Sequence, residues 1–168
     1  MEFVSADWWN LCVRWLHILS GIMWIGHLYY FNFTQTPTVP RMPPELRPAI
    51  PRFIMPEALW WFRWSAMSTI LFGLLLALMN GYLGPAIMLG IGSHSRHITD
   101  IGFGMWFGTI MWFNVWFIIW PNQQKILGLV EASPEQKARS ARVAGLASRT
   151  NTLLSIPMVY CMAGIHYY

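Results

Sequence analysis

The sequence predicts an all-α integral membrane protein: a four-helix bundle with both termini outside, a proline-rich cytoplasmic strap and a short cytoplasmic amphipathic helix. Three observations carry this reading. The chain is 55% apolar and only 11% charged, where a soluble domain is about 25% charged. Four apolar runs, residues 8–33, 59–79, 101–120 and 151–168, lie near or above the ~18–20 residues that cross a ~30 Å hydrocarbon core at ~1.5 Å per residue. Of eleven Lys and Arg, nine fall in or beside the first and third connections: Arg41, Arg47, Arg52, Arg63, Lys125, Lys137, Arg139, Arg142 and Arg149. The positive-inside rule makes that side cytoplasmic, and a multi-pass protein of the bacterial inner membrane is expected. At 168 residues it is one domain, spanning 1–168.

The elements follow in order. No basic stretch precedes Asp7, and the first apolar run has full spanning length, so no cleavable signal is expected. That run opens with Asp7-Trp8-Trp9 and closes with Tyr29-Tyr30-Phe31, aromatics suited to an interfacial belt. Residues 34–58 hold prolines at 37, 40, 43, 44, 48, 51 and 56; lacking amide donors, they predict an extended strap. The second helix begins near Trp60-Trp61 and ends at Asn80-Gly81. Residues 82–99 are broken by Gly84, Pro85, Gly90 and Gly92 and read as an outer segment folded on the bundle. The third helix is rich in aromatics and ends at Pro121; Gly104 and Gly108 let another helix approach closely, and Asn114 is expected to hydrogen-bond a neighbour. Ser133-Pro134-Glu135-Gln136 forms a capping box that starts a short basic helix running to about Leu146. The fourth helix starts near Asn151, which is expected to cap it, with Arg149 beside headgroups or a carboxylate such as Glu57.

Composition narrows the function. The net charge of +4 sits in juxtamembrane loops, so lipid and topology account for it, and no nucleic-acid partner is expected. Cys12 and Cys161 read as small core residues, with a disulfide between the first and last helices as the alternative, and the absence of Cys-x-x-Cys-His excludes covalent haem.

The histidines are the strongest chemical candidates. Under this topology His17, His94, His97 and His166 lie toward the outer face, and only His27 falls in the cytoplasmic half. His17 lies roughly 12–14 Å below the outer end of the first helix, with Arg14 one turn away. An ionisable side chain at that depth is costly and points to function. In one reading His17 is an axial ligand to a b-type haem, His166 or His97 supplies the second ligand, and Arg14 pairs with a propionate. Straight helices set His17 and His166 roughly 9 Å apart in depth, so such ligation needs tilt or another partner. In the other reading His94, His97 and Asp100 hold copper or zinc. Against both stands the bland alternative of hydrogen-bonded interior or exposed loop histidines, the expected role for His27.

Two stretches resemble a known family: Arg14-Trp15-Leu16-His17 with Gly21-Ile22-Met23-Trp24-Ile25-Gly26, and Ser148-Arg149-Thr150-Asn151-Thr152 with Ser155-Ile156-Pro157-Met158 and His166-Tyr167. The pattern is similar to the membrane domain of cytochrome-fused urate oxidases and to short membrane homologues of that domain. The family carries a cytochrome c domain beyond a larger membrane region, and its second motif often has His where this chain has Thr150. Urate oxidation is therefore not carried over. The resemblance favours His17 and His166 and implies a redox-linked role, with membrane lipid and other membrane subunits or a c-type cytochrome as partners. The expected function is a subunit that binds one b-type haem and passes electrons within a larger assembly. The alternative is a cofactor-free accessory subunit packed through its aromatic helices and Gly104/Gly108.

Overall fold

The computed structural model describes residues 5–92 and 95–163. All regular structure among them is helical. Helix α1, Ala6–Tyr29, starts where the Ser5 hydroxyl accepts a hydrogen bond from the Trp8 amide. It continues through a π-helical stretch, Tyr30–Gln35, and short turns at Thr36–Thr38 and Val39–Arg41, giving one helical run Ala6–Arg41.

The strap therefore differs from the sequence expectation of extended chain. Helix resumes with a π-helical turn at Ile50–Ile54 and continues as α2, Met55–Met79. The physical reason is positional. Pro37, Pro40, Pro51 and Pro56 each occupy the second residue of a segment at which the helix changes type, and the wider π-helical turns before Pro37 and Pro56 absorb the backbone bond that proline cannot make. Only residues 42–49 remain as connection, and Arg47 ties them together by donating to the carbonyls of Met42 and Pro40.

After Gly81, at φ +71°, a five-residue helix α3, Leu83–Ile87, lies against α4, Arg96–Phe113. The contact is close. Gly102 faces the Ala86 carbonyl and Gly90 faces Thr99, so a side chain at either glycine would collide; Trp106 also donates to the Ile87 carbonyl at 3.1 Å. This connecting segment is thus folded on the helices, as its broken composition predicts.

Pro121 does not end the third apolar run. A π-helical stretch, Asn114–Ile119, leads into α5, Trp120–Leu127, with Pro121 in its first turn. The stop is Gly128 in the left-handed conformation at φ +77°.

The last helix, α6, is a single 30-residue element, Pro134–Ala163. The expected capping box is present: Ser133 Oγ accepts from the Gln136 amide and Gln136 Oε1 accepts from the Ser133 amide. The separate amphipathic helix and the break near residue 150 are absent. Residues 146–156 contain no glycine or proline, and Ser148, Asn151 and Ser155 among them turn inward to bond other helices.

Among the described residues, Ala6–Arg41, Ile50–Met79 and Arg96–Leu127 are long and apolar enough to cross a membrane. Their outer faces expose large apolar side chains in succession, such as Trp15 at 63% and Ile22 at 64%, a surface suited to lipid. Trp24, Leu28, Phe62, Met111 and Val115 close the core between them.

Candidate functional site

Helix α1 runs antiparallel to α2, and their seam holds His17. The His17 Nδ1 lies 2.9 Å from the Thr69 backbone oxygen. A carbonyl only accepts, so Nδ1 carries the proton and donates, which leaves the Nε2 lone pair free. Space for the ring comes from Gly73, one turn beyond Thr69. A Cβ there would stand 2.9 Å from His17 Cε1 and 3.1 Å from Nδ1, so any side chain would push the imidazole out. The ring is thus held from one nitrogen and one face, the usual outer support of a ligating histidine.

Arg14 stands on the turn before His17, exposed, with its guanidinium 3.5 Å from Asn10 Oδ1. Its charge is felt by Tyr82, which follows the α2 terminus. Burial raises the Tyr82 phenol above its ordinary pKa and Arg14 partly offsets the rise, so the hydroxyl remains a donor at neutral pH.

The other sequence candidates are not gathered around this ring by anything described. His94 and His166 lie outside the described residues. His97 is exposed in the first turn of α4, with Asp100 half-buried one turn later. Among the described residues, no three His, Cys, Asp or Glu side chains come together to hold a metal ion. Cys12 and Cys161 are free thiols.

A second constellation has no counterpart in the sequence reading beyond Asn114. Helix α6 buries Ser140, Ala144, Ala147, Asn151, Ser155 and Met158, one stripe at spacings of three and four. Asn151 and Ser155 in this stripe, and half-buried Ser148 beside it, each meet another helix. Asn151, with no exposed surface, accepts from Asn114 Nδ2 at 2.8 Å and donates to the Met111 carbonyl at 2.9 Å. Ser155 shares a 3.0 Å hydrogen bond with the Tyr29 hydroxyl, and Ser148 accepts from Asn32 Nδ2 at 2.7 Å. Asn151 therefore bridges helices from mid-helix and does not cap. Asn114 bonds a neighbour as expected. The spacing Ser148, Asn151, Ser155 is the available signal, masked because polar residues ahead of an apolar run also mark a helix start. Arg149 points elsewhere, donating to Gly145, with no ion pair to Glu57 among the described residues.

The Gly104/Gly108 face is also used internally. A Cβ at Gly104 would meet Met162 at 2.9 Å and Cys161 at 3.3 Å, and one at Gly108 would meet Ile70 at 3.9 Å. Both glycines are buried, so this face is covered by α6 and α2 and is closed to another subunit.

The family model described as urate oxidase N-terminal matches residues 3–45 and 94–168. The chain belongs to the urate oxidase N-terminal family. No curated protein and no solved structure matches the chain. The family match covers α1, α4, α5 and α6, hence Arg14, His17 and every residue of the polar stripe with its partners. It leaves out residues 46–93, which supply Thr69 and Gly73 beneath His17.

Proposed function

We propose that this member of the urate oxidase N-terminal family is a redox-linked subunit of the bacterial inner membrane, a four-helix bundle that holds one b-type haem through His17. The observation that supports the reading is the His17 setting: Nδ1–H committed to the Thr69 carbonyl, Nε2 free, and the ring resting on a glycine. These residues fit the group, because axial ligation takes a neutral imidazole nitrogen whose other nitrogen is oriented by a hydrogen bond. Arg14, one turn toward the helix start, is the cation available to a propionate. When bound, the haem would supply one-electron transfer; the chain orients the ligand and surrounds it with apolar helices. His166 or His97 would provide a second ligand. The basic loops face the cytoplasm, so His17 lies in the outer half, within reach of a c-type cytochrome or a larger membrane assembly.

The test is a reduced-minus-oxidised visible spectrum of the purified chain, with iron, copper and zinc measured on the same sample. A b-type α band with near-stoichiometric iron is the expected result. His17→Ala should remove the band while the protein still inserts in the membrane, and Gly73→Leu, which drives the ring from its place, should do the same. A band unchanged in both variants, or a preparation with no haem, would overturn the assignment. Bound copper or zinc without haem would redirect attention to His97 and Asp100 with His94.

A further inference from the structure

The outward face of α6 carries a second pattern, opposite the buried stripe. Arg139, Arg142, Leu146, Arg149, Leu153 and Ile156 follow at spacings of three and four, so they form one line along the helix. All six are exposed, Leu153 at 70% and Ile156 at 62%. The line is basic toward the start of α6 and apolar toward its end. Depth follows from the neighbouring helix. Met111 and Asn114 stand level with Asn151, and Gly104 faces Cys161 and Met162, so α4 and α6 run antiparallel. The apolar run of that neighbour gives way at Asn122-Gln123-Gln124-Lys125, roughly 14 Å from the level of Asn151. Arg142, nine residues before Asn151, stands at about the same depth. Arg149 lies about 10 Å farther into the apolar zone.

An outward-facing guanidinium at that depth is costly and calls for an anion. After Glu135 the sequence holds no Asp or Glu, and among the described residues Arg139, Arg142 and Arg149 form no ion pair. Arg149 Nε donates to the Gly145 carbonyl at 3.2 Å, which lays the side chain back along the helix toward Arg142, the direction of the interface. We propose that this line is a binding site for an anionic phospholipid, its phosphate held between Arg142 and Arg149 and an acyl chain laid along Leu153 and Ile156. The order of groups along the helix is the order within the lipid, charge at the interface and hydrocarbon beneath it. A guanidinium meets a phosphate through two parallel hydrogen bonds. Net charge selects the lipid class, since a zwitterionic headgroup would bring its ammonium among three arginines. A second copy inserted in the same orientation would set Arg139, Arg142 and Arg149 against their own counterparts. Free phosphate would leave the apolar half of the line without a role. Lipid binding here does not depend on a haem at His17.

The experiment titrates the full detergent-purified chain with phosphatidylglycerol and, separately, with phosphatidylcholine, and reads retained lipid by native mass spectrometry. The parent should hold phosphatidylglycerol with an affinity about tenfold or more above that for phosphatidylcholine. Each arginine at an anionic surface is worth about fivefold, so the double variant Arg142→Gln, Arg149→Gln should weaken phosphatidylglycerol by about tenfold or more. Arg149→Lys keeps the charge and should lose less than Arg149→Gln. The control double variant Arg41→Gln, Arg52→Gln removes the same charge from exposed positions off this line and should bind like the parent. All these substitutions are at exposed sites, and unfolding midpoints close to the parent's in phosphatidylcholine check that the fold is kept. His17→Ala should leave the titration unchanged. Equal retention of the two lipids by the parent, equal losses in the two double variants, competition by inorganic phosphate at the lipid's own concentration, or a dimer mass abolished by Leu153→Arg would each overturn the proposal.

Discussion

Replacing Asn151 by Ala tests whether polar contacts set the packing of α6. Asn151 makes two hydrogen bonds to α4 and the start of its π-helical extension, accepting from Asn114 at 2.8 Å and donating to the Met111 carbonyl at 2.9 Å. Between helices in a membrane such bonds average about 0.6 kcal/mol and reach about 1.7 kcal/mol. Losing both should therefore cost roughly 1–3 kcal/mol, with a further contribution from the small void at a fully buried site. Asn114→Ala removes only the first bond and should cost roughly 0.5–2 kcal/mol. The double-mutant cycle isolates the Asn114–Asn151 interaction, and its coupling should lie at about 0.6–1.7 kcal/mol. Reversible unfolding of the four proteins in mixed micelles by titration with a denaturing detergent gives the numbers. A coupling indistinguishable from zero, with Asn151→Ala as stable as the parent, would refute the role given to this bridge.

Two further outcomes follow from side chains at either end of the helices. Burial raises the Tyr82 phenol pKa in the folded protein, so its contribution to stability is complete below the unfolded value of about 10 and is lost as pH rises through the higher folded value; thermal unfolding between about pH 8 and 11 should show a decline in the parent that is reduced in Tyr82→Phe, and identical profiles would count against it. The Arg63 guanidinium lies 3.3 Å from the centroid of a Trp120 ring and 5.6 Å from that of Trp116, and Arg63→Met should destabilise by about 0.5–2 kcal/mol in the same detergent titration; no change would show that the stacked charge contributes nothing to joining α2 and α5.

Much of the fold is legible in the sequence because apolar length is a strong signal. The first three apolar runs lie within the three helical segments long enough to span, and the Ser133–Gln136 box starts a helix as written. The discrepancies share a cause. Proline was read as a breaker at 37, 40, 51, 56 and 121, whereas each falls in the first turn of a renewed helical segment. π-helical stretches at residues 30–35, 50–54 and 114–119 make that renewal feasible, and their register shift leaves no mark in hydropathy. The polar residues 148–152 were read as a helix entrance because polarity usually signals the interface. In α6 Ser148 and Asn151 face inward, a reversal decided by partners on other helices, while Arg149 and Thr150 stay exposed. His17 was legible as an ionisable residue deep in an apolar run. Its support was not, because Thr69 acts through a backbone oxygen and Gly73 through the absence of a side chain.

That division bears on how the loss of His17 is to be interpreted. Lipid offers little hydrophobic drive for helix association, so interhelical hydrogen bonds help to set register, and the His17–Thr69 bond is one of them. If α1 and α2 relied on it, a missing haem band in His17→Ala would report a slipped helix and say nothing of a ligand. The seam has other anchors. Phe31 packs edge-on against Phe62 with centroids 5.5 Å apart, Trp24 and Leu28 are buried in the same core as Phe62 and Ala66, and residues 42–49 join the helices through a short connection. One bond worth roughly 1 kcal/mol is a small part of that contact, so the pair should hold its register without it. Gly73→Leu sharpens the distinction, since it keeps the histidine and its titratable nitrogen but denies the ring its place against α2. Loss of the band in both variants, with unfolding midpoints close to the parent, therefore identifies the oriented Nε2 as the ligand.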